Sequence, residues 1–524
     1  VGVGRRRRRA VRDHPRADHR RDRGRLDTDD VLGPTEGAAA AVKAALLIAL
    51  VAACADDGVV MTPVIDLPAN DSASAFPLDQ LNVEVAHDGD TLDLSSAKFS
   101  KGQTVQVGGV PYANDIVVHL TGFVGSSEVA YGRSCAVAVT TDAPIPEPHL
   151  YFSRSVKFGQ IQTTLPTEVR VGGVAVTYHD GSGLLLGGED PNTHQPATTI
   201  ERFDPRTGEL RVLATFSGSD PPRLNTVAAA LGIGGDAQIA VIGGLDTTTG
   251  AGAQFVDLIE ADQPDGRRVT QVSDTNMSRV GLTATTLSDG RVIVMGGRPP
   301  PSGAPVGEVD EVSAESGTAV VRVTRAMLQF PRYGHTATRL SDDVGASVLV
   351  VGGIDASQTP IRIAELYKPL AEGFSTTTYT SPIERSQHQA IRMPDGSVLV
   401  LGGYNSMGQG VLALELFTLD GGFQQIGMLP PTAGIVDFSA TTLPDGRVLI
   451  TGGLDSSGNP TNLAFIASLD PLNGAVDVIA TDKLAQPRAG HQATLLCDGT
   501  VLISGGTSEQ VPPERYNPPP DGRR

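Results

Sequence analysis

A Gly-Gly doublet closing a short apolar run returns seven times, at Gly187-Gly188, Gly243-Gly244, Gly296-Gly297, Gly352-Gly353, Gly402-Gly403, Gly452-Gly453 and Gly505-Gly506. The interval is 50 to 56 residues, the signature of an array of repeats, each long enough for a four-stranded sheet. Before each doublet stand two apolar runs separated by a turn, the second typified by Val398-Leu399-Val400-Leu401. Asp-Gly fills that turn at Asp180, Asp289, Asp395, Asp445 and Asp498, a strong hairpin signal. A polar loop then leads to a third strand with an acid near an aromatic residue, as in Glu201-Arg202-Phe203, Glu365-Leu366-Tyr367 and Glu415-Leu416-Phe417. Glycine turns at Thr207-Gly208 and Gly421-Gly422 open a fourth. Four antiparallel strands per repeat, arranged radially, predict an all-β chain built on a seven-bladed β-propeller.

These motifs resemble those of the kelch family, whose blades carry Gly-Gly at the end of the second strand and an acid-plus-aromatic pattern in the third. The resemblance covers about residues 150–518. Kelch blades usually place Trp in the fourth strand, and this chain has no Trp; Leu210, Phe374 and Phe423 take that place. The last repeat ends after a third strand at Glu514-Arg515-Tyr516-Asn517, so residues 155–162 are expected to supply its fourth strand, sparing an unpaired edge. The propeller is accordingly expected over 149–518, with 519–524 as a tail.

Two positions rise and fall together around the repeats. An Arg stands 17 or 20 residues before the doublet, at Arg170, Arg223, Arg279, Arg332, Arg385 and Arg488, with Ile435 in the sixth repeat. An acid follows the doublet at Glu201, Asp257, Asp310 or Glu311, Glu365, Glu415 and Glu514, and the sixth repeat lacks it too. Joint loss predicts pairs inside each blade, Arg170 with Glu201, Arg332 with Glu365, Arg385 with Glu415 and Arg488 with Glu514 among them, as charge-assisted links. The competing reading, arginines lining a site for an anionic sugar, does not account for the joint loss. His335, His388 and His491 share one repeat position, which points to packing. Asp190, Asp246, Asp355, Asn405 and Asp455 follow the doublets and are expected to make Asx turns.

The N-terminal region obeys different rules. Eleven of the first 25 residues are Arg, and Lys43–Ala53 (KAALLIALVAA) is a cationic start followed by an apolar run too short to span a bilayer. Val51-Ala52-Ala53-Cys54 resembles a bacterial lipobox, in which the cysteine is lipidated. Residues 1–53 are thus expected to be upstream sequence plus a lipoprotein signal beginning near Val42, and Cys54 the lipidation site. Residues 54–77 mix small, polar and Pro residues and are expected to form a flexible tether. Alternating runs in 78–148 predict a small, Ig-like β-sandwich ending in a connector with Pro144, Pro146 and Pro148. Cys135 and Cys497 fall in separate predicted domains and are expected as isolated thiols, although an oxidising compartment permits a disulfide.

Charge narrows the partners. Beyond residue 53 the chain carries 29 basic against 52 acidic residues, a net of −23, which argues against nucleic acid and against an anionic membrane met by the protein itself. The resemblance allows an enzyme: galactose oxidase, a copper-radical enzyme with a kelch domain, needs two Tyr, two His and a Cys, and sialic acid mutarotases also use kelch propellers. The expectation from the sequence is instead a non-enzymatic binding or scaffold protein of the bacterial envelope, lipid-anchored and extracytoplasmic, recognising a protein or glycan, with no catalytic, cofactor or metal residues. The alternative is a carbohydrate-active propeller enzyme.

If Cys54 carries the lipid, Cys54→Ser expressed in a bacterial host loses acyl-label incorporation and moves from the membrane to a soluble fraction. Unchanged labelling would sink the lipoprotein reading.

Overall fold

A computed structural model describes residues 58–519, apart from 70–76, 91–93, 101–106, 162, 164, 217–221, 235–236, 248, 261–271, 274–276, 316–317 and 471–473. Cys54 and the stretch before it lie outside these residues. The architecture is all-β: a small N-terminal domain precedes a seven-bladed kelch-type propeller. No helix among the described residues is long and apolar enough to cross a membrane.

Each blade is an antiparallel meander whose innermost strand comes first. In blade 5, Gln389–Arg392, Val398–Leu401, Ala413–Thr418 and Gly422–Met428 pair in that order. The second strands are buried along their whole length, as apolar runs covered on both faces must be. Lys157–Gln160 pairs with Glu514–Asn517, so blade 7 combines three strands from the end of the propeller sequence with one from its start. Leu210, Phe374 and Phe423 lie opposite Phe203, Tyr367 and Phe417, filling the place of the missing tryptophans with paired apolar rungs.

The doublets are the joints between blades. All fourteen glycines have φ between +56° and +95°, a region open to glycine and costly for other residues. Their second N–H groups donate to the carbonyl of the next blade's arginine: Gly297 to Arg332 (2.8 Å), Gly353 to Arg385 (3.1 Å), Gly453 to Arg488 (2.7 Å) and, from blade 7 to blade 1, Gly506 to Arg170 (2.9 Å). A Cβ at Gly296 would lie 2.6 Å from the Arg332 carbonyl oxygen, so a side chain there would wedge the blades apart.

The same arginines turn their side chains into their own blades. Arg332 and Glu365 meet at 2.6 Å with both essentially inaccessible, and the second guanidinium nitrogen donates to the Gly352 carbonyl at 2.9 Å. Arg385 meets Glu415 at 2.6 Å, Arg488 meets Glu514 at 2.9 Å and Arg170 meets Glu201 at 3.0 Å. Arg223 is paired with Asp257 and Arg279 with Asp310, which settles the choice between Asp310 and Glu311; Glu311 instead engages Arg291 and Arg322. The carboxylates also accept backbone N–H groups of the incoming loop, as Glu365 does from Gln329 (2.6 Å) and Glu514 from Ala485 (2.8 Å). In blade 6, Ile450 pairs with Phe465 where Val350 pairs with Glu365 in blade 4. Ile435 and Phe465 stand, both buried, at the two positions that the ion pair occupies in the other blades.

Three expectations for the N-terminal region are corrected. The stretch 54–77 is not a tether throughout: Val59–Met61 pairs with Val107–Val110, and Val64–Asp66 pairs in parallel with His149–Tyr151. Met61 and Ile65 join the domain core because their apolar side chains cover the main sheet, formed by Ser153–Arg154, Ser127–Arg133, Ala113–Val124, Gln80–His87 and Ser95–Ser100. For the same reason the boundary lies past 148, since His149–Tyr151 and Ser153–Arg154 pair within the small domain. Cys135 and Cys497 are not isolated thiols but form a disulfide, Cα atoms 5.0 Å apart. The domain docks on blade 7 and brings them together: Arg133 donates to the Cys497 carbonyl (3.1 Å), and Asn517 donates to the carbonyls of Tyr131 (2.7 Å) and Ser153 (3.0 Å).

A single Glu365→Ala change strands a buried guanidinium and is expected to cost about 3–5 kcal/mol in denaturant unfolding. The double change Arg332→Ile with Glu365→Phe copies blade 6 and is expected to cost less than the two single changes together. Strictly additive losses would show that the two side chains do not act as a pair.

Candidate functional site

The propeller has two unlike faces. The disulfide at Cys497 lies in the turn between the first and second strands of blade 7, so the small domain occupies the end of the ring away from the doublets. The doublet face is formed by loops entering the first strands and leaving the second strands.

Two residues after each of the six interblade arginines, and after Ile435 in blade 6, the chain reaches a left-handed position. Gly172, Asn225, Gly281, Gly334, Gln387, Asp437 and Gly490 have φ of +52° to +69°. Their backbones are linked from blade to blade, Gly334 N–H to Gly281 (2.8 Å), Gln387 to Gly334 (3.3 Å), Gly490 to Asp437 (2.7 Å) and Gly172 to Gly490 (2.8 Å). Each stands just ahead of an innermost strand, which places the series around the mouth of the central opening. Four of the seven relieve the backbone with glycine. Asn225, Gln387 and Asp437 keep an exposed polar side chain in a conformation that Asn and Asp tolerate and Gln adopts at a cost.

No hydrogen bond or ion pair within the described residues engages the Asp437 carboxyl, and burial holds its pKa above the ordinary range. The residue is solvent-exposed as a whole, yet enough protein surrounds the carboxyl to disfavour its charged form. Outside this ring lie Arg298, Tyr333, Ser386 and Tyr404, in short backbone bridges between the loops. The Arg298 guanidinium stacks over the Tyr333 ring at 4.3 Å, and the Tyr333 hydroxyl donates to Gln358 at 2.9 Å.

The interblade arginines of the sequence analysis are not part of this mouth; their guanidinium groups are buried within the blades. Sequence reasoning missed Asn225, Gln387 and Asp437, though a signal exists. Four repeats read Arg-x-Gly, and these three break the pattern at its last position. Asp190, Asp355, Asn405 and Asp455 make Asx turns, each accepting the N–H two residues on at 2.8 to 3.0 Å.

His335, His388 and His491 are wedges between blades. Each is buried, and its Nε2 meets a threonine hydroxyl, of Thr283 (3.1 Å), Thr336 (2.9 Å) and Thr451 (2.8 Å) respectively. Burial, with the neighbouring arginines, pushes His388 and His491 down to about 3 and His335 well below the usual range. The copper-radical ligand set does not fit this chain. The propeller's cysteine is spent in the disulfide at the opposite end, the three histidines are committed to interblade packing, and no group of three His, Cys, Asp or Glu side chains suited to a metal occurs among the described residues.

No family model and no curated protein matches the chain. Solved structures do. YjhT is similar at 14% identity with a TM-score of 0.42, over 56% of this chain and 93% of its own. A fungal alcohol oxidase with catalytic diversity among the AA5 family, in complex with copper, is similar at 16% identity with a TM-score of 0.50, over 70% of this chain and 77% of its own. The expectation of a non-enzymatic protein is corrected by this likeness: the architecture on which that expectation rested is one that carries catalysis in the alcohol oxidase.

The buried histidines set a pH dependence. Their folded pKa lies below the unfolded value of about 6.5, so the unfolded chain takes up more protons between those limits. Their contribution to stability is complete above about pH 6.5 and is lost as pH drops from there toward 3. Replacing His388 and His491 by Phe, the residue at the equivalent Phe438, is expected to flatten the decline in urea midpoint between pH 6.5 and 4. An unchanged slope would show that other groups carry it.

Proposed function

We propose that the chain is a carbohydrate-active propeller enzyme that moves protons at the anomeric centre of a reducing sugar bound over the doublet-face mouth. The observation that carries this reading is the trio Asn225, Gln387 and Asp437, polar side chains held in left-handed backbone where glycine would be the relaxed choice. Strain of that kind is retained where a side chain is needed. A carboxyl with raised pKa exchanges protons closer to neutrality than an ordinary one.

In this mechanism the Asp437 carboxylate accepts the proton of the anomeric hydroxyl. The bond from the anomeric carbon to the ring oxygen breaks and that oxygen takes a proton from water, leaving hydroxide. On reclosure at the other face of the carbonyl the same hydroxyl returns its proton to the hydroxide, while protonated Asp437 gives its proton back to the anomeric oxygen. No oxidant or co-reactant is consumed. Gln387, in the neighbouring blade, and Asn225, across the mouth, orient the sugar hydroxyls through their amides. Tyr333 and Tyr404 offer rings of the kind on which sugars stack.

The setting proposed is the outer side of a bacterial cytoplasmic membrane or beyond, with the chain held by a lipid at Cys54. The Cys135–Cys497 disulfide supports an oxidising compartment.

Anomer exchange of a panel of reducing sugars, followed by NMR saturation transfer, tests the reading. Asp437→Asn is expected to lower kcat about 100-fold or more with KM little changed. Full activity in that variant, or no acceleration of any sugar by the wild-type chain, would remove Asp437 from the chemistry.

A further inference from the structure

Among the described residues, blade 7 is the one place where the ring is closed by strand pairing alone. Its outer strand, Lys157–Gln160, comes from the start of the propeller and pairs with Glu514–Asn517 from its end. The closing strand is entered through Val156, whose φ of +57° is a left-handed conformation that a β-branched residue adopts only at a cost. Contacts on two sides hold it there. The Ser155 N–H donates to the Val129 carbonyl of the small domain (3.3 Å), and the Val156 N–H donates to the Asn517 carbonyl (2.8 Å). A strained turn of this kind persists only while its surroundings dictate it.

The joint of blade 7 with blade 1 also departs from the other six. In those, the side chain three residues after the arginine position packs on the first doublet glycine of the preceding blade. A Cβ on that glycine would come within 2.4 to 3.1 Å of Thr226, Leu282, His335, His388, Phe438 or His491. In blade 1 the position is Gly173, so no side chain wedges the joint behind Gly505. Gln492 of blade 7 turns toward the space, and its Oε1 and the Ser504 hydroxyl are buried without a hydrogen-bond partner among the described residues. In the joint before it, the corresponding hydroxyl, of Thr451, is met by His491 at 2.8 Å. A missing wedge and unpaired buried polar groups weaken the closing joint.

The disulfide spans both weak places. Cys135 lies in the small domain, ahead of the closing strand, and Cys497 in the first turn of blade 7, where its N–H donates to the Gly181 carbonyl of blade 1 at 3.1 Å. We infer that Cys135–Cys497 is a redox latch on the ring: formed, it fixes the small domain on blade 7 and holds the Val156 turn; reduced, it lets the closing strand open. The bond also keeps the two seam strands within each other's reach, so an opened seam recloses at once. A dithiol supplies the reduction. Its thiolate attacks the partly exposed Cys497 sulfur and expels the Cys135 thiolate, which takes a proton. Its second thiol then displaces Cys497 as a thiol, so two electrons and two protons pass to the protein and the dithiol leaves as a disulfide. Opening reaches the far face, because the backbone links from Asp437 to Gly490 and from Gly490 to Gly172 run through blade 7. The inference does not depend on the chemistry proposed for that mouth.

Hydrogen exchange of the full-length chain, folded with the disulfide intact and then held in dithiothreitol, reads the latch, with thiol alkylation to follow cleavage of the bond. Reduction is expected to speed exchange of the amides in Lys157–Gln160 and Glu514–Asn517 by about 10-fold or more. Val348–Val351 and Val398–Leu401, the second strands of blades 4 and 5, are expected to stay protected. Cys135→Ser combined with Cys497→Ser is expected to show the reduced pattern with or without dithiothreitol. Val156→Gly, which relieves the left-handed residue, is expected to restore much of the protection in the reduced chain. Equal protection of the closing strand in the two redox states overturns the inference, as does a bond that dithiothreitol leaves intact. Loss spread evenly over all blades, or a reduced chain that Val156→Gly leaves as open as before, overturns it too.

Discussion

Everything in the propeller hangs on one arginine position used at both ends. Its backbone carbonyl receives the N–H of the preceding blade's second doublet glycine, and its guanidinium reaches the carboxylate and the first glycine carbonyl of its own blade. One residue thereby joins two blades and fastens the first strand of its blade to the third. The arrangement is possible because the doublet lacks side chains, so backbones approach where a Cβ would collide. Blade 6 separates the two roles. Ile435 keeps the backbone link, accepting from Gly403, while its apolar side chain and Phe465 dispense with the charges. The link between blades is therefore a main-chain property, and the ion pair is one of two ways to fill the space beneath it.

That joint also places the candidate functional surface. Two positions after this backbone link, in blade 6 with Ile435 as in the blades with arginine, the chain adopts left-handed backbone at the central mouth. Glycine is the relaxed solution there, and each departure from it projects a side chain in a fixed direction. A scaffold of repeated constraints thus presents equivalent positions around the mouth, and at three of them, Asn225, Gln387 and Asp437, a polar side chain is exposed. The small domain leaves this surface open by docking at the other end, where the disulfide and the Asn517 contacts hold it to blade 7.

The sequence by itself determined the blade count, the strand order within each blade, the strand that completes blade 7 and the arginine–acid register. These features repeat, and a repeated local pattern is legible without knowing what it packs against. Joint absence in one repeat was enough to suggest the pairing. What only the tertiary structure decided were the features that occur once. Cys135 and Cys497 stand 362 residues apart, and nothing local forecasts that the small domain seats its turn against blade 7. Val59–Met61 and Val64–Asp66 are too short to show a period, and they become strands only because partners at 107–110 and 149–151 reach them. Asn225, Gln387 and Asp437 were visible as letters, but their meaning lies in a backbone angle and in a ring closed by distant repeats. Repetition made the frame readable. The candidate site sits where repetition breaks, and there only the folded chain brings the residues to one mouth.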